Sequence, residues 1–484
     1  MSIMMSMSPS PSPSPLASSP TVSSSPPSSL PVRTIPGSYG LPLVGPISDR
    51  LDYFWFQGPE TFFRKRMEKY KSTVFRTNIP PTFPFFNVNP NIVAVLDCKS
   101  FAHLFDMEIV EKKNVLVGDF MPSVKYTGNI RVGAYLDTSE PQHGKVKNFA
   151  IDTLKQSSKV WVPELTSNLS TMWDTIEKDL AEKSSSSYLV PLQKFVFNFL
   201  IKCLVGADPS SSPKVAESGY IMLDRWLAFQ LLPTVKIGVL QPLEELFIHS
   251  FAYPFFLVSG DYNNLSNFVE EYGKEIVQRG QTEFGLSKEE TIHNLLFILG
   301  FNAFGGFSVF LPSLLGTIAS DTTDLQQRLV KEVREKGGST LTFDSIKEMP
   351  LVQSVVYETL RLNPPVPLQF ARARKDFRLS SHDSAFEVKK GELLCGFQSL
   401  VMKDPKIFSE PETFIPDRFM KDKDLLDYLY WSNGPQSGVP GVSNKQCAGK
   451  DIVTLTACLI LAYTFRRYDS ISGSSSSITA VKKA

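Results

Sequence analysis

The stretch Trp431–Lys450, WSNGPQSGVPGVSNKQCAGK, decides how the rest of the chain is read. At its centre is Cys447, followed by Ala448, Gly449 and an apolar, helix-like run from Asp451 to Phe465. A thiol at the start of a helix meets unpaired backbone N–H groups and the positive end of the helix dipole, which favours its thiolate. Such a sulfur can hold the iron of a haem. Gly449 leaves room where a flat macrocycle would approach the backbone, and Lys445, two residues before the sulfur, sets a cation within reach of a haem propionate. The plainer alternative is a buried structural cysteine at the head of a core helix. Residues upstream decide between the two.

With 484 residues, 42% of them hydrophobic and 20% charged, the chain has the composition of a folded enzyme and too little polarity for overall disorder. Its formal net charge of +1 offers no basic surplus, so no nucleic-acid partner is expected. The five cysteines, Cys98, Cys203, Cys395, Cys447 and Cys458, are odd in number and widely spaced with no CxxC pair. That pattern argues against a disulfide framework and a zinc site, and for a reducing compartment.

Residues 1–32 are almost entirely Ser, Pro and small apolar residues, and no Asp or Glu occurs before Asp49. Such a leader cannot form a core and has the acid-poor, Ser-rich character of a plastid transit segment; a disordered tail without an address is the alternative. No uninterrupted run of about 18 apolar residues occurs, so no membrane-spanning helix is expected and any membrane contact is peripheral. A single catalytic domain is expected over 33–484. Strands are expected at Ser72–Asn78, Ile92–Leu96 and within Phe377–Val401, with a turn at Lys390 and Gly391. Helices are expected at Lys145–Ser157, Leu165–Lys183, Leu192–Leu204, Glu217–Leu232 and Leu265–Phe284. The fold class is therefore mainly α with small β-sheets (α+β).

The longest helical pattern, Lys288 to about Thr317, is apolar nearly all round and reads as a central buried helix. Asn302 stands in its middle, a lone amide needing partners, and Gly305 and Gly306 mark a weak point just after it. Further on, Glu358 and Arg361 share one face of a helix over Val352–Leu362 that ends at Pro364 and Pro365. Arg418, in Pro416-Asp417-Arg418-Phe419, can join that pair, and Cys447 follows 29 residues later.

This ordered set, Glu-x-x-Arg, Pro-x-Arg-Phe and Cys-x-Gly, resembles the haem-thiolate cytochromes P450 from about Pro36 to the end. The resemblance implies the P450 fold, with haem b (iron protoporphyrin IX) between the central helix and the cysteine loop. Cys447 would be the metal ligand and Glu358, Arg361 and Arg418 the network that locks the segment leading to it. Lys445, Arg372, and His143 with Lys147 at helical spacing would face the haem propionates, and Gly449 would lie against the macrocycle. Two departures narrow the family. Gly434 stands 13 residues before Cys447 where four is usual, an insertion of nine, with Trp431 in place of Phe. The central helix also lacks, from Ile292 to Gly316, the acid and Thr that deliver protons to bound oxygen in monooxygenases.

Both departures resemble the plant family of allene oxide synthases, hydroperoxide lyases and divinyl ether synthases, as do GFNAFGG in the central helix, VGDFMPS near residue 120 and SNKQCAGKD at the ligand. KNVLVGDFMPSVKYTG and the terminus SSSSITAVKKA are most similar to 13-hydroperoxide lyases. The resemblance implies a chloroplast enzyme that rearranges fatty-acid hydroperoxides without oxygen, NADPH or a redox partner. Asn302 would orient the peroxide, while Leu116, Phe301 and Phe304 would line the substrate pocket. Leu116 stands where allene oxide synthases carry Phe, which favours the lyase outcome, a six-carbon aldehyde and a twelve-carbon oxo-acid formed through a hemiacetal. Divinyl ether or allene oxide synthesis is the near alternative; a classical monooxygenase or a non-catalytic haem or lipid carrier is the distant one. The oligomeric state is left open by the sequence.

Overall fold

The computed structural model describes residues 30–81, 88–239 and 243–484; most of the leader, residues 1–29, falls outside them. Val32 and Arg33 pair in parallel with Ala385 and Phe386, so strand pairing already includes the residue before the expected boundary at 33.

Helices make up most of the molecule. Helix α1, Pro141–Glu182, is one 42-residue rod where the sequence suggested two helices separated near Pro163. A proline inside a helix costs about 3 kcal/mol. Here the buried stripe stays in phase across it, through Leu154, Trp161, Leu165, Leu169, Met172 and Trp173, and that burial outweighs the missing hydrogen bond. The expected helix at Leu265–Phe284 is instead two, Ser259–Tyr272 and Lys274–Phe284. They part at Gly273, where a Cβ would lie 2.7 Å from the Val269 carbonyl oxygen.

Helix α2, Pro213–Leu231, packs on the central helix α3, Lys288–Ala319. Ser287 and Glu290 form a reciprocal capping box that starts α3. Its segment Ile298–Phe304 is π-helical, so the weak point lies one turn before Gly305 and Gly306 rather than at them. By length and composition α3 could cross a membrane, although it holds no uninterrupted apolar run of that length. Half of its most apolar window is buried within the protein, with Leu295, Leu299, Phe310 and Leu314 deep in the main hydrophobic cluster, so it serves as the core helix. Helix α4, Pro350–Leu362, and the last long helix α5, Lys450–Arg467, complete the frame around it.

Strands β1 (Val74–Asn78), β2 (Asn91–Val95), β3 (Val110–Glu111), β4 (Leu368–Ala373) and β5 (Leu393–Phe397) form a five-stranded sheet in the order β1-β2-β5-β4-β3. Only the β2–β5 pair is parallel, and it joins chain segments some 300 residues apart. β4 was not anticipated: Pro364, Pro365 and Pro367 crowd its start and mask its strand character. The turn at Lys390 and Gly391 is present, with Gly391 at φ 89°. Small sheets elsewhere leave a mainly α molecule.

Candidate active site

The loop before α5 is built around Gln446. Its side-chain amide donates to the Pro435 carbonyl, and a Cβ on Gly434 or Gly438 would approach that side chain to 2.8 and 2.6 Å. The inserted residues thus fold back over a glutamine that only glycines can pass. Trp431, buried, donates its indole N–H to Gln436, whose own amide reaches Asp451 at 3.0 Å in the first turn of α5. The backbone N–H of Cys447 donates to the Ser432 carbonyl at 3.0 Å, fixing the sulfur relative to the hairpin Tyr430–Trp431/Gly434–Pro435.

Burial pushes the Cys447 thiol up, while the Gly449 N–H and the Lys147 and Lys450 ammoniums favour its thiolate. The residue is nonetheless only half-buried by accessible area. A side chain deep in the protein mass that keeps accessible surface faces an internal space rather than bulk solvent. Gly449 has only Leu154 within reach of an added Cβ, at 3.9 Å, so the backbone beside the sulfur is also open.

Four basic groups surround this loop. The Lys147 ammonium donates to the Gln446 carbonyl. Lys445 donates to the carbonyls of Gly133 (2.6 Å), Ala134 (3.3 Å) and Leu136 (2.6 Å), which uses all three of its protons. Lys112, singled out by nothing in the sequence, is 4% exposed and donates to the Asn433 side chain. His143 is buried, with Nδ1 lacking a partner. Burial, reinforced by mutual repulsion, lowers Lys445 and Lys112 to about 7 and His143 to about 4; burial lowers Lys147 to about 8. The nearby carboxylate, Asp137, is occupied by Arg374 at 2.8 Å, by Ser139 and by the Lys112 backbone N–H. This is a cluster of basic groups short of anions, and the carboxylates of a haem fit that deficit. Arg372 is drawn elsewhere: it pairs with Asp119 and donates to the Gly391 carbonyl at 3.0 Å.

On α3, Asn302 is exposed although the helix is otherwise a core element, and Gly306 and Val309 share its open side. Val309 is 53% exposed, and a Cβ on Gly306 would meet nothing within 4 Å. This open stripe carries one amide and no ionisable group. Phe301, partly buried, stacks on Phe297 with ring centroids 4.6 Å apart. Phe304 is fully buried by protein and has no surface left for a substrate, which corrects the expectation that it lines a pocket. Leu116 is only partly buried, in the loop that bridges back at Gly118. Val309 was legible in principle, two helical turns beyond Asn302 on the same side.

Glu358, Arg361 and Arg418 meet in the core. Arg361 makes a two-pronged contact with Glu358, 2.8 Å to each oxygen, and Arg418 Nε reaches the same oxygens at 3.0 and 3.1 Å. Their remaining protons go to the carbonyls of Met402, Ser409, Glu410, Pro411 and Thr413, and the Ile415 N–H closes on Glu358. The segment 402–418 is thereby pinned to α4.

A separate grouping, Asp97, His382 and Asp404, brings three ligand-type atoms within 4.8 Å of one another. Its carboxylates are already bound to Ser100 and Thr73, and to the Cys98 N–H and His382, so it acts as a clasp between β2 and the segment 382–404.

The cytochrome P450 family model matches residues 262–477. Over 96% of its length the chain is 67% identical to the chloroplastic fatty acid hydroperoxide lyase of Solanum lycopersicum, covering 99% of that protein. It is 62% identical to the chloroplastic linolenate hydroperoxide lyase of Arabidopsis thaliana, over 95% of each chain. Against the chloroplastic allene oxide synthase of Linum usitatissimum identity is 42%, over 96% of this chain and 90% of the other.

Proposed function

The chain belongs to the cytochromes P450, in the plant group of fatty-acid hydroperoxide lyases and allene oxide synthases, and from that membership we propose that it is a chloroplast lyase of 13-hydroperoxides of linoleic and linolenic acid. The products are a six-carbon aldehyde and a twelve-carbon oxo-acid, released from a hemiacetal. The observation that carries this reading is the open stripe on α3: it offers Asn302, Gly306 and Val309, and neither the acid nor the Thr that would pass a proton to bound oxygen.

The cofactor is haem b. Held by a thiolate, ferric haem supplies homolytic cleavage of the O–O bond that the substrate brings, so neither oxygen nor an external electron is needed. Cys447 provides the sulfur, kept in place by the Ser432 carbonyl and favoured as thiolate by Gly449, Lys147 and Lys450. Lys112, His143 and Lys147, gathered beside the cysteine loop with too few anions, would take the haem carboxylates. Asn302 holds the hydroperoxide by hydrogen bonding, orienting it without donating an ionisable proton. Leu116 gives the pocket an aliphatic wall.

No redox partner is required. A peripheral lipid contact is compatible with exposed Leu43, Val44 and Phe56, which lie beside exposed Leu246 and Phe247 because Arg50 and Trp55 both bind Glu245. The test is product identification after incubating the purified haem protein with a 13-hydroperoxide in the absence of NADPH. Six-carbon aldehyde and twelve-carbon oxo-acid support the lyase reading; a divinyl ether or an allene oxide as main product reassigns the chain within its group.

A further inference from the structure

Three residues along one face of α2, Leu223, Trp226 and Leu227, lean on two glycines of α3. A Cβ on Gly300 would lie 2.7 Å from Leu223 Cδ1 and 2.8 Å from Trp226 Cζ3, and a Cβ on Gly305 would lie 2.8 Å from Leu227 Cδ2. Carbon atoms pack at roughly 3.5–4.0 Å, so each glycine is a notch in which only hydrogen fits.

The two notches are five residues apart. In an α-helix that spacing leaves positions roughly 140° apart around the axis, too far for one neighbouring helix to fill both. With i→i+5 bonding they stand one turn above the other. The π-helical segment Ile298–Phe304 supplies that geometry, and the Gly305 N–H is shared between the carbonyl of Asn302 and that of Gly300, the latter a five-residue link. Asn302 lies between the notches and is exposed on the open side.

The face of α2 is itself held firmly. Trp226 is fully buried, its indole N–H donates to the Tyr126 carbonyl at 2.9 Å, and its ring stacks on Tyr262 with centroids 5.5 Å apart. The Tyr262 hydroxyl returns to α3 through His293 Nδ1 at 2.7 Å. A π turn has poorer bonding than α-helix, and each helical glycine weakens it further by about 1 kcal/mol. Something must offset that local cost, and the close fit of α2 is what the structure offers.

We propose that Leu223, Trp226 and Leu227 are positioning residues: seated in the Gly300 and Gly305 notches, they hold the π turn and so set the angle at which Asn302 meets the hydroperoxide. This rests on the role given to Asn302 above. Reverting the turn to α-helix removes one residue from it and swings the side chain by about 100° relative to one flank.

The test compares haem-loaded wild type, Gly305→Ala, Leu227→Ala, the double variant Gly305→Ala/Leu227→Ala, Asn302→Ala and Gly305→Ala/Asn302→Ala. Amide hydrogen exchange over 298–306 is read alongside kcat and KM. Gly305→Ala is expected to speed that exchange and lower kcat about ten-fold or more with KM within about two-fold, the mark of a misplaced orienting group. Adding Leu227→Ala makes room for the new methyl and restores both, whereas Gly305→Ala/Asn302→Ala is no slower than Asn302→Ala alone. Leu227→Ala alone, which empties the notch without a clash, shows the same changes to a smaller degree and remains readable if Gly305→Ala does not fold. Exchange and kcat at wild-type values in Leu227→Ala and in Gly305→Ala would overturn the proposal, as would a loss in Gly305→Ala that multiplies in full with that of Asn302→Ala. If Asn302→Ala by itself turns over at the wild-type rate, the role of Asn302 fails, while exchange over 298–306 still decides whether α2 holds the turn.

Discussion

Glu358 accepts the Nε proton of Arg418, 60 residues further along the chain, with both carboxylate oxygens at 3.0 and 3.1 Å, and both side chains are buried. Because Arg361 shares the same carboxylate, one negative charge serves two buried guanidiniums whose other protons go to backbone carbonyls. Removing Glu358 strands two cations, and breaking a buried pair in this way costs about 3–5 kcal/mol. Glu358→Ala is therefore expected to express poorly or without haem. Haem content per protein and melting temperature check this, and a stable, haem-replete variant would show that the segment 402–418 is held by other means.

Asn302→Ala should keep the fold and the haem but lose turnover. One missing preorganised hydrogen bond is worth about 10²–10³-fold in rate, and here it should appear in kcat with little change in melting temperature. If the amide served only to stabilise the π turn, the pattern would reverse: lower melting temperature, unchanged rate per haem.

Leu116→Phe replaces an aliphatic wall by an aromatic one at a partly buried loop position, where the extra volume can be accommodated. The expected result is a smaller share of six-carbon aldehyde and a larger share of allene oxide products from the same 13-hydroperoxide, measured by product ratio. An unchanged ratio would remove Leu116 from the determinants of outcome.

Acid stability should depend on Glu177 of α1. Burial alone would raise its carboxyl, but hydrogen bonds from Lys483, Tyr468 and Arg467 outweigh burial and hold it down at about 2. A carboxyl that is more acidic folded than unfolded contributes stability that is full above the unfolded value of about 4.3. The contribution fades as pH falls through the folded value. Glu177→Gln should therefore melt lower than wild type at neutral pH, with the gap closing below about pH 4. A gap that stays constant across that range would mean the ion pairs contribute nothing that titrates.

Much of this was legible in the sequence, for reasons that can be stated residue by residue. Cys447 announces itself through the glycine and apolar helix that follow, and Glu358 with Arg361 through helical spacing, because those relations are local. Arg418 could be named as a candidate third member but not placed, since no periodicity links positions 60 residues apart. Lys112 was missed because its side-chain partner, Asn433, lies 321 residues away. Lys445 and Arg372 were expected to face the haem propionates, but backbone carbonyls and Asp119 compete for their protons, and competition of that kind is settled in three dimensions. Phe304 illustrates the same limit: on a helix apolar all round, nothing in the sequence says which aromatic faces protein and which faces the open stripe. The π turn escaped because Gly305 and Gly306 signal weakness without saying that α2 would shape it.

The most direct test of the account follows the consumption of a 13-hydroperoxide by wild-type protein and Cys447→Ser, anaerobically and without NADPH or reductase, per mole of haem. The account predicts rapid consumption by wild type, with a thiolate-type haem spectrum, and loss of both in Cys447→Ser, because a neutral serine hydroxyl cannot replace an anionic sulfur donor. Full turnover by a haem-replete Cys447→Ser, or a wild-type protein inert until NADPH and a reductase are supplied, would contradict it.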